Sequence, residues 1–195
     1  MRFEGEIAGM GTGSGVRIVV GMWRDTPLGS FADVMVQQPD GHRVLLAPSE
    51  PVAAFIATTY RFDETRIGPV VVSRRADTRR VTAPGLVLEF RTGRRRWVGW
   101  LLRAVPRRLA IWPRWLTVID PVARLLMRGV RTSGSAGHRR REYYGAWDVH
   151  AVVDLRGSWR GTDLGELKPV HPPVTFGFGS TPSAPAVTSI VTTVQ

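Results

Sequence analysis

Cysteine is absent from this chain of 195 residues, and lysine occurs only once, at position 168, among 27 basic residues. Without thiols the protein has no disulfides, no thiolate metal ligands and no cysteine nucleophile. A chain without cysteine suits a reducing compartment, so we expect a cytoplasmic location. Because nearly every basic residue is arginine, the choice of arginine over lysine at a given position is weak evidence for phosphate recognition. The positions of the arginines carry more information.

Long apolar runs are also missing. Arginine or proline interrupts every apolar stretch well before the roughly eighteen residues that a transmembrane helix requires. The first residues, Met1 to Glu6, lack the basic start and the apolar run of a signal peptide. We therefore expect a protein that is not integral to a membrane, although it could lie at a membrane surface.

The composition is otherwise that of a folded domain. Apolar residues make up 43% of the chain and charged residues 22%, enough to build a core without wholesale disorder. The 21 glycines and 14 prolines favour short elements joined by tight turns. We expect one domain spanning residues 1–195.

Positive charge is concentrated in the middle of the chain. Residues 71–145 contain 18 arginines and four acidic residues, a local charge of +14, whereas the rest of the chain sums to −3. One basic block between two mildly acidic flanks points to an anionic partner or to a solvated basic face.

The first half of the sequence predicts strands and one helix. Pro39-Asp40-Gly41 has the residues of a hairpin turn. Ser49 before Glu50-Pro51 has the pattern of a helix start, and Val52, Phe55, Ile56 and Tyr60 would share a face of that helix. The predicted strands cover 3–8, 16–23, 31–38, 42–47, 66–73 and 85–91, the last two paired through a basic turn, Arg74 to Arg80.

A helical insertion is predicted over residues 94–130. Trp97, Trp100, Leu101 and Ala104 recur at spacings of three and four, and Pro106 and Pro113 divide the segment into short helices. A last helix would begin at Asp120-Pro121, followed by a loop over 132–137.

Strands return after the insertion. Residues 142–155 alternate, with Tyr143, Trp147, Val149, Val153 and Leu155 on one side and Tyr144, Asp148, His150 and Asp154 on the other. Further strands are expected at 174–178 and 186–194. The whole pattern predicts an α+β fold, predominantly antiparallel β, a barrel or sandwich with one early helix and the central helical insertion.

Two groups of residues are candidates for a functional site. Tyr144, Asp148 and His150 would share a strand face, where a carboxylate could orient an imidazole as in a general base; the alternative is the solvated face of an antiparallel sheet. No metal site or cofactor is expected, because His42, His138, His150 and His171 are scattered.

The second group is the block of arginine and tryptophan. Its candidate ligand-binding residues are Trp97, Trp100, Arg103, Arg107, Arg108, Trp112 and Trp115. It could be an interfacial helix on anionic lipid, a nucleic-acid contact with stacking aromatics, or a lid whose indoles pack on the sheet while its arginines are solvated.

From these features we expect a non-enzymatic protein that binds an apolar or amphipathic, anionic small molecule or lipid, in a barrel-like pocket or at an anionic membrane surface. The alternatives are an enzyme with its site at Tyr144, Asp148 and His150, and a nucleic-acid-binding module. The sequence leaves the identity of the ligand and the oligomeric state open.

Overall fold

The computed structural model describes residues 1–106, 133–135, 141–177 and 181–194, and the single residues Trp112, Trp115 and Val118. The helices are α1 (Glu50–Ala57) and α2 (Trp97–Ala104). The strands are β1 (Arg2–Thr12), β2 (Arg17–Asp25), β3 (Phe31–Gln37), β4 (Arg43–Ala47), β5 (Glu64–Ile67), β6 (Val71–Arg75), β7 (Thr78–Ala83), β8 (Leu86–Arg95), β9 (Ser133–Ser135), β10 (Arg141–Trp159), β11 (Thr162–Asp163), β12 (Leu167–Lys168) and β13 (Ala186–Val194).

The described strands form one curled sheet, a half-barrel, in the order β5-β4-β3-β2-β1-β13-β10-β8-β7-β6. The short strands β9 and β11 pair with β10, and β12 pairs with β1. All described pairs are antiparallel except β4 with β5, which α1 connects as a parallel crossover. This confirms the predicted α+β fold with predominantly antiparallel β structure.

Apolar side chains pack on both faces of one part of the sheet. Alternation along β3 sends Val34 and Val36 into the main core on one face and leaves Met35 on the other, because successive residues of a strand point to opposite sides. That second face is covered by α1 and by residues Val170 to Phe176. The part of the sheet formed by β1 to β4 is therefore buried on both sides.

An ion pair crosses the curled sheet. Arg79 of β7 is buried, and its Nη2 lies 2.8 Å from Oε2 of Glu6 in β1, a strand that is not adjacent to β7. Its guanidinium also contacts the hydroxyl of Thr92 and lies 6.0 Å from the centre of the Phe90 ring. Removing the Glu6 carboxylate would leave the buried Arg79 charge without its ionic partner, so the pair favours the curled arrangement.

Several local predictions are confirmed and others are wrong. The hairpin at Pro39-Asp40-Gly41 forms between β3 and β4. The helix predicted after Ser49 is α1, although the Ser49 side chain makes no capping hydrogen bond to it.

The basic segment 74–80 is not a turn. It contains the end of β6 and the start of β7, so a third strand separates the two that were expected to pair. Residues 133–135 of the expected loop form β9, and residues 174–177 of an expected strand are not a strand.

Candidate functional site

Strand β10 contains irregularities that decide which of its side chains lie together. Relative to β13, its register shifts between Ala146 and Asp148, so that Trp147 is an extra residue. An extra residue in a strand reverses the face on which the following side chains lie. Two further irregularities, relative to β8, lie between His150 and Val152 and between Val152 and Asp154. They leave Val152 and Leu155 in the core and Val153 exposed.

Tyr144 therefore lies on the face opposite to Asp148. Tyr144 is in register with Thr192 of β13, which pairs with Phe3 of β1. Phe3 stacks on Phe55 of α1, so this row faces the helix. The Tyr144 hydroxyl correspondingly contacts the hydroxyl of Tyr60.

Asp148 is in register with Ser189, which pairs with Glu6, and Phe3 and Glu6 are three positions apart on a strand whose register with β13 is regular. An odd separation along a strand means opposite faces. The expected shared face is confirmed for Asp148 and His150, whose Oδ2 and Nε2 atoms lie 3.5 Å apart. It is wrong for Tyr144, because the expectation assumed unbroken alternation.

Asp148 is a buried carboxylate at the centre of an ionic cluster. Its Oδ1 accepts hydrogen bonds from Arg95 Nε at 2.8 Å and from the backbone N–H of Val149 at 2.9 Å. Its Oδ2 accepts one from Arg95 Nη2 at 3.0 Å and lies 3.5 Å from both Arg103 Nη1 and His150 Nε2. Arg95 thus binds the carboxylate through two parallel hydrogen bonds, the strongest geometry available to an arginine.

The cluster holds Asp148 in its charged form. Burial of the carboxyl group opposes ionisation, but hydrogen bonds from Arg95 and from the Val149 backbone outweigh it and keep the pKa of Asp148 below its usual value. Because both carboxylate oxygens are occupied by fixed donors, Asp148 is poorly suited to take up a proton from a substrate. Its geometry suits an anchor for the segment that carries Arg95 and Arg103.

That segment leads into α2, which lies close against β10. A Cβ atom at Gly99 would lie 2.7 Å from the carbonyl oxygen of Val149 and 2.9 Å from Asp148 Oδ1. Only glycine allows so close an approach without displacement of the helix. Val98 is buried beside it, and the backbone N–H of Arg96 donates to the Val149 carbonyl at 2.9 Å. Helix α2 is therefore fixed by backbone contact, apolar packing and an ion pair.

The tryptophans of α2 lie on its solvent side. The exposed fractions are 56% for Trp97, 62% for Trp100 and 52% for Leu101. The Arg95 guanidinium lies 4.6 Å from the centre of the Trp100 ring, a cation–π contact that covers part of one indole face. For these two tryptophans, the interpretation of α2 as a lid whose indoles pack on the sheet is wrong.

The other candidate residues are placed as follows. Arg103 is half-exposed, Trp112 is 49% exposed and Trp115 is partly buried. Arg107 and Arg108, and the helix predicted from Asp120-Pro121, lie outside the described residues. The sequence reasoning missed Arg95 and Gly99, although a glycine inside a helical pattern is a sign of close packing.

The described residues contain no helix long and apolar enough to cross a membrane. Within the same part of the chain, no group of three or more histidine, aspartate or glutamate side chains is arranged to hold a metal ion.

The fold and the site define a curled β half-barrel that presents a short, firmly anchored helix with an apolar outer side. No protein-family model matches the sequence, and no curated protein matches it either.

Proposed function

We propose that the protein binds peripherally to anionic lipid membranes, with the outer side of α2 as the inserting surface. The observation that carries this proposal is the exposure of Trp97, Trp100 and Leu101 side by side on a helix whose other side is packed. Adjacent exposed indoles on an anchored helix are unusual for a surface that meets only water, and tryptophan favours the membrane interface.

The apolar contribution can be estimated from the exposed area. A tryptophan side chain has an area of roughly 150–250 Å², so each exposed indole offers roughly 100 Å² to a lipid surface. At about 25 cal/mol per Å², each indole contributes about 2 kcal/mol when it leaves water. Two such side chains give useful but reversible binding, as expected of a peripheral protein.

Arginines before and after the tryptophans in the sequence provide positive charge that complements an anionic bilayer. Arg94 precedes α2 and is exposed, Arg96 is its N-cap residue, and Arg103 in its last turn is half-exposed. A basic residue near an anionic bilayer contributes about 1 kcal/mol. Arg103 is held to Asp148 only at 3.5 Å, in contrast to the bidentate Arg95, so it can turn towards a lipid phosphate while Arg95 retains the anchor.

The anchored helix favours a surface over a pocket as the binding mode. Trp97 and Trp100 face solvent, which is where a bilayer would meet them, whereas the walls of an internal pocket would face the sheet. The enzyme alternative is weakened because Tyr144 lies on the other face of β10 and Asp148 is committed to Arg95.

Co-sedimentation with vesicles tests the proposal. We expect the protein to sediment with vesicles of equimolar phosphatidylcholine and phosphatidylglycerol, and much less with phosphatidylcholine alone. The double variant Trp97→Ala, Trp100→Ala should bind the anionic vesicles at least roughly tenfold more weakly, from the area lost. The matched control, Val71→Ala with Val87→Ala, removes two exposed apolar side chains at the end of β6 and β8 away from α2 and should bind normally.

Two outcomes would overturn the proposal. One is the absence of sedimentation with anionic vesicles. The other is salt-sensitive retention on DNA or RNA that persists in the double tryptophan variant, which would favour a nucleic-acid-binding protein. Quenching of tryptophan fluorescence by brominated lipids gives an independent readout of insertion.

A further inference from the structure

We propose that the turn between β6 and β7 is a second contact with the same anionic surface, and that it sets the orientation of the sheet on the bilayer. This inference rests on the proposed function, because it assigns a second contact to the same lipid surface. The proposal rests on where the fold places Arg74 and Arg75. These two residues are more than twenty residues from α2 in sequence but lie at the same end of the strands as α2.

The register places the turn beside the start of α2. Arg75 pairs with Thr78 across the turn, and Thr78 pairs with Arg91 of β8. The backbone N–H of Thr92 donates to the carbonyl of Asp77 at 2.8 Å, which ties the turn to β8. Strand β8 ends at Arg95, and α2 begins two residues later. The turn and α2 thus emerge from neighbouring strands at one end of the sheet.

Exposed arginines are present both in the turn between β6 and β7 and on β8, the strand that leads to α2. Arg74, Arg75, Arg91 and Arg94 are all exposed, and none of them forms an ion pair within the described part of the chain. Among the described residues, the acidic side chains near these arginines are Asp77 in the turn, Asp154, which is in register with Arg91, and Asp148, which is bonded to Arg95. Arginine therefore outnumbers acid at this end of β7 and β8.

Protection of a sheet edge is the competing explanation. Strand β6 is an edge strand, and charged residues on edges prevent pairing with other chains. That role accounts for Arg74 and Arg75. It does not account for Arg91 and Arg94, because β8 lies between β7 and β10 inside the sheet. Arg75 and Arg91 both pair with Thr78 and therefore lie on one face of the sheet, so a common anionic surface accounts for these two arginines together.

A lipid surface suits this arrangement better than a nucleic acid. Arg94 and Arg103 flank the exposed Trp97 and Leu101 along the chain, and an interfacial contact combines apolar insertion with charge attraction in this way. A nucleic acid would use the arginines and the indole faces but would gain little from an exposed leucine beside them.

A charge reversal tests the second contact. Arg75→Glu should lower the partition coefficient on equimolar phosphatidylcholine and phosphatidylglycerol vesicles by roughly tenfold to thirtyfold. Arg61→Glu is the matched control: it changes the net charge equally, at an exposed position between α1 and β5. Because exposed charges are screened beyond about 8 Å at physiological salt, the control should bind close to the wild-type level.

The absence of cysteine allows a second measurement that does not depend on charge. Asp77→Cys places a single thiol at the turn, and Asp40→Cys places one in the turn between β3 and β4, at the opposite end of the strands. With an environment-sensitive fluorophore on each, anionic vesicles should raise and blue-shift the emission at position 77 and leave position 40 unchanged.

The results separate the two proposals. If wild-type protein fails to bind anionic vesicles, the proposed function is wrong. If wild-type protein binds and needs Trp97 and Trp100, but Arg75→Glu binds normally or the two labels respond alike, the second contact alone is wrong.

Discussion

Replacement of Asp33 by asparagine should change how the stability of the protein depends on pH. Asp33 is 2% exposed on β3, and its one described hydrogen bond comes from Trp23 Nε1, 2.8 Å from its Oδ1. A Cβ atom at Gly21 would lie 2.3 Å from Asp33 Oδ1 and 2.6 Å from Trp23 Nε1, so the bond occupies space that only glycine leaves free.

The magnitude follows from the pKa of this carboxyl group. Burial raises the pKa of Asp33 to about 6, and the Trp23 hydrogen bond opposes the rise only partly. The usual value is 3.8. Because the folded state holds the proton more tightly than the unfolded state, this group stabilises the fold below pH 3.8 and that stabilisation is lost as pH rises through about 6. A difference of about two pKa units corresponds to about 3 kcal/mol.

Denaturant unfolding followed by circular dichroism at several pH values measures this effect. Asp33→Asn keeps an oxygen for the Trp23 N–H and removes the titration. Relative to wild type, the variant should gain about 3 kcal/mol in the free energy of unfolding between pH 3.5 and pH 7.5. Any constant penalty for burying the amide cancels in that difference.

Asp40→Asn, at an exposed carboxyl group, is the control for the general effect of removing an acid. If the curves of the Asp33→Asn variant and wild type run parallel across this pH range, the buried carboxyl group does not titrate as argued.

Two further changes test the local structure. Asp148→Ala leaves Arg95 without its carboxylate and should lower the free energy of unfolding by about 2 kcal/mol; hydrogen exchange should show loss of amide protection in α2, and unchanged protection there would contradict the role as an anchor. Ala76, in the turn between β6 and β7, has a φ of 54°, which costs a non-glycine residue about 1 kcal/mol. Ala76→Gly should therefore raise the thermal midpoint, and a lower midpoint would show that this conformation is not strained.

Strands and turns with strong local signals were predictable. The hairpin at Pro39-Asp40-Gly41 forms as expected, with Gly41 at a φ of 93°. The turn at Ala76-Asp77 was predicted too long, as Arg74 to Arg80, because its positive φ falls on Ala76, which is not a usual turn former, and because the basic composition of the segment concealed the end of β6 and the start of β7.

The candidate site was predictable only in part. The spacing of Trp97, Trp100 and Leu101 correctly placed them on one side of a helix. Which side faces the sheet depends on contacts with a distant strand: Gly99 against the Val149 carbonyl and Arg95 against Asp148. Similarly, Tyr144 and Asp148 share parity in the sequence, and only the register with β13 shows the extra residue at Trp147 that separates them.

The class of fold, the basic centre of the chain and the amphipathic spacing of α2 could be inferred from the amino-acid sequence alone, because composition and periodicity are local properties. The tertiary structure decided the order of the strands, the outward side of α2 and the gathering of Arg74, Arg75, Arg91 and Arg94 at one end of the sheet. These features arise from pairing and packing between residues far apart in the chain, and no local pattern specifies which distant partner a strand or helix will meet.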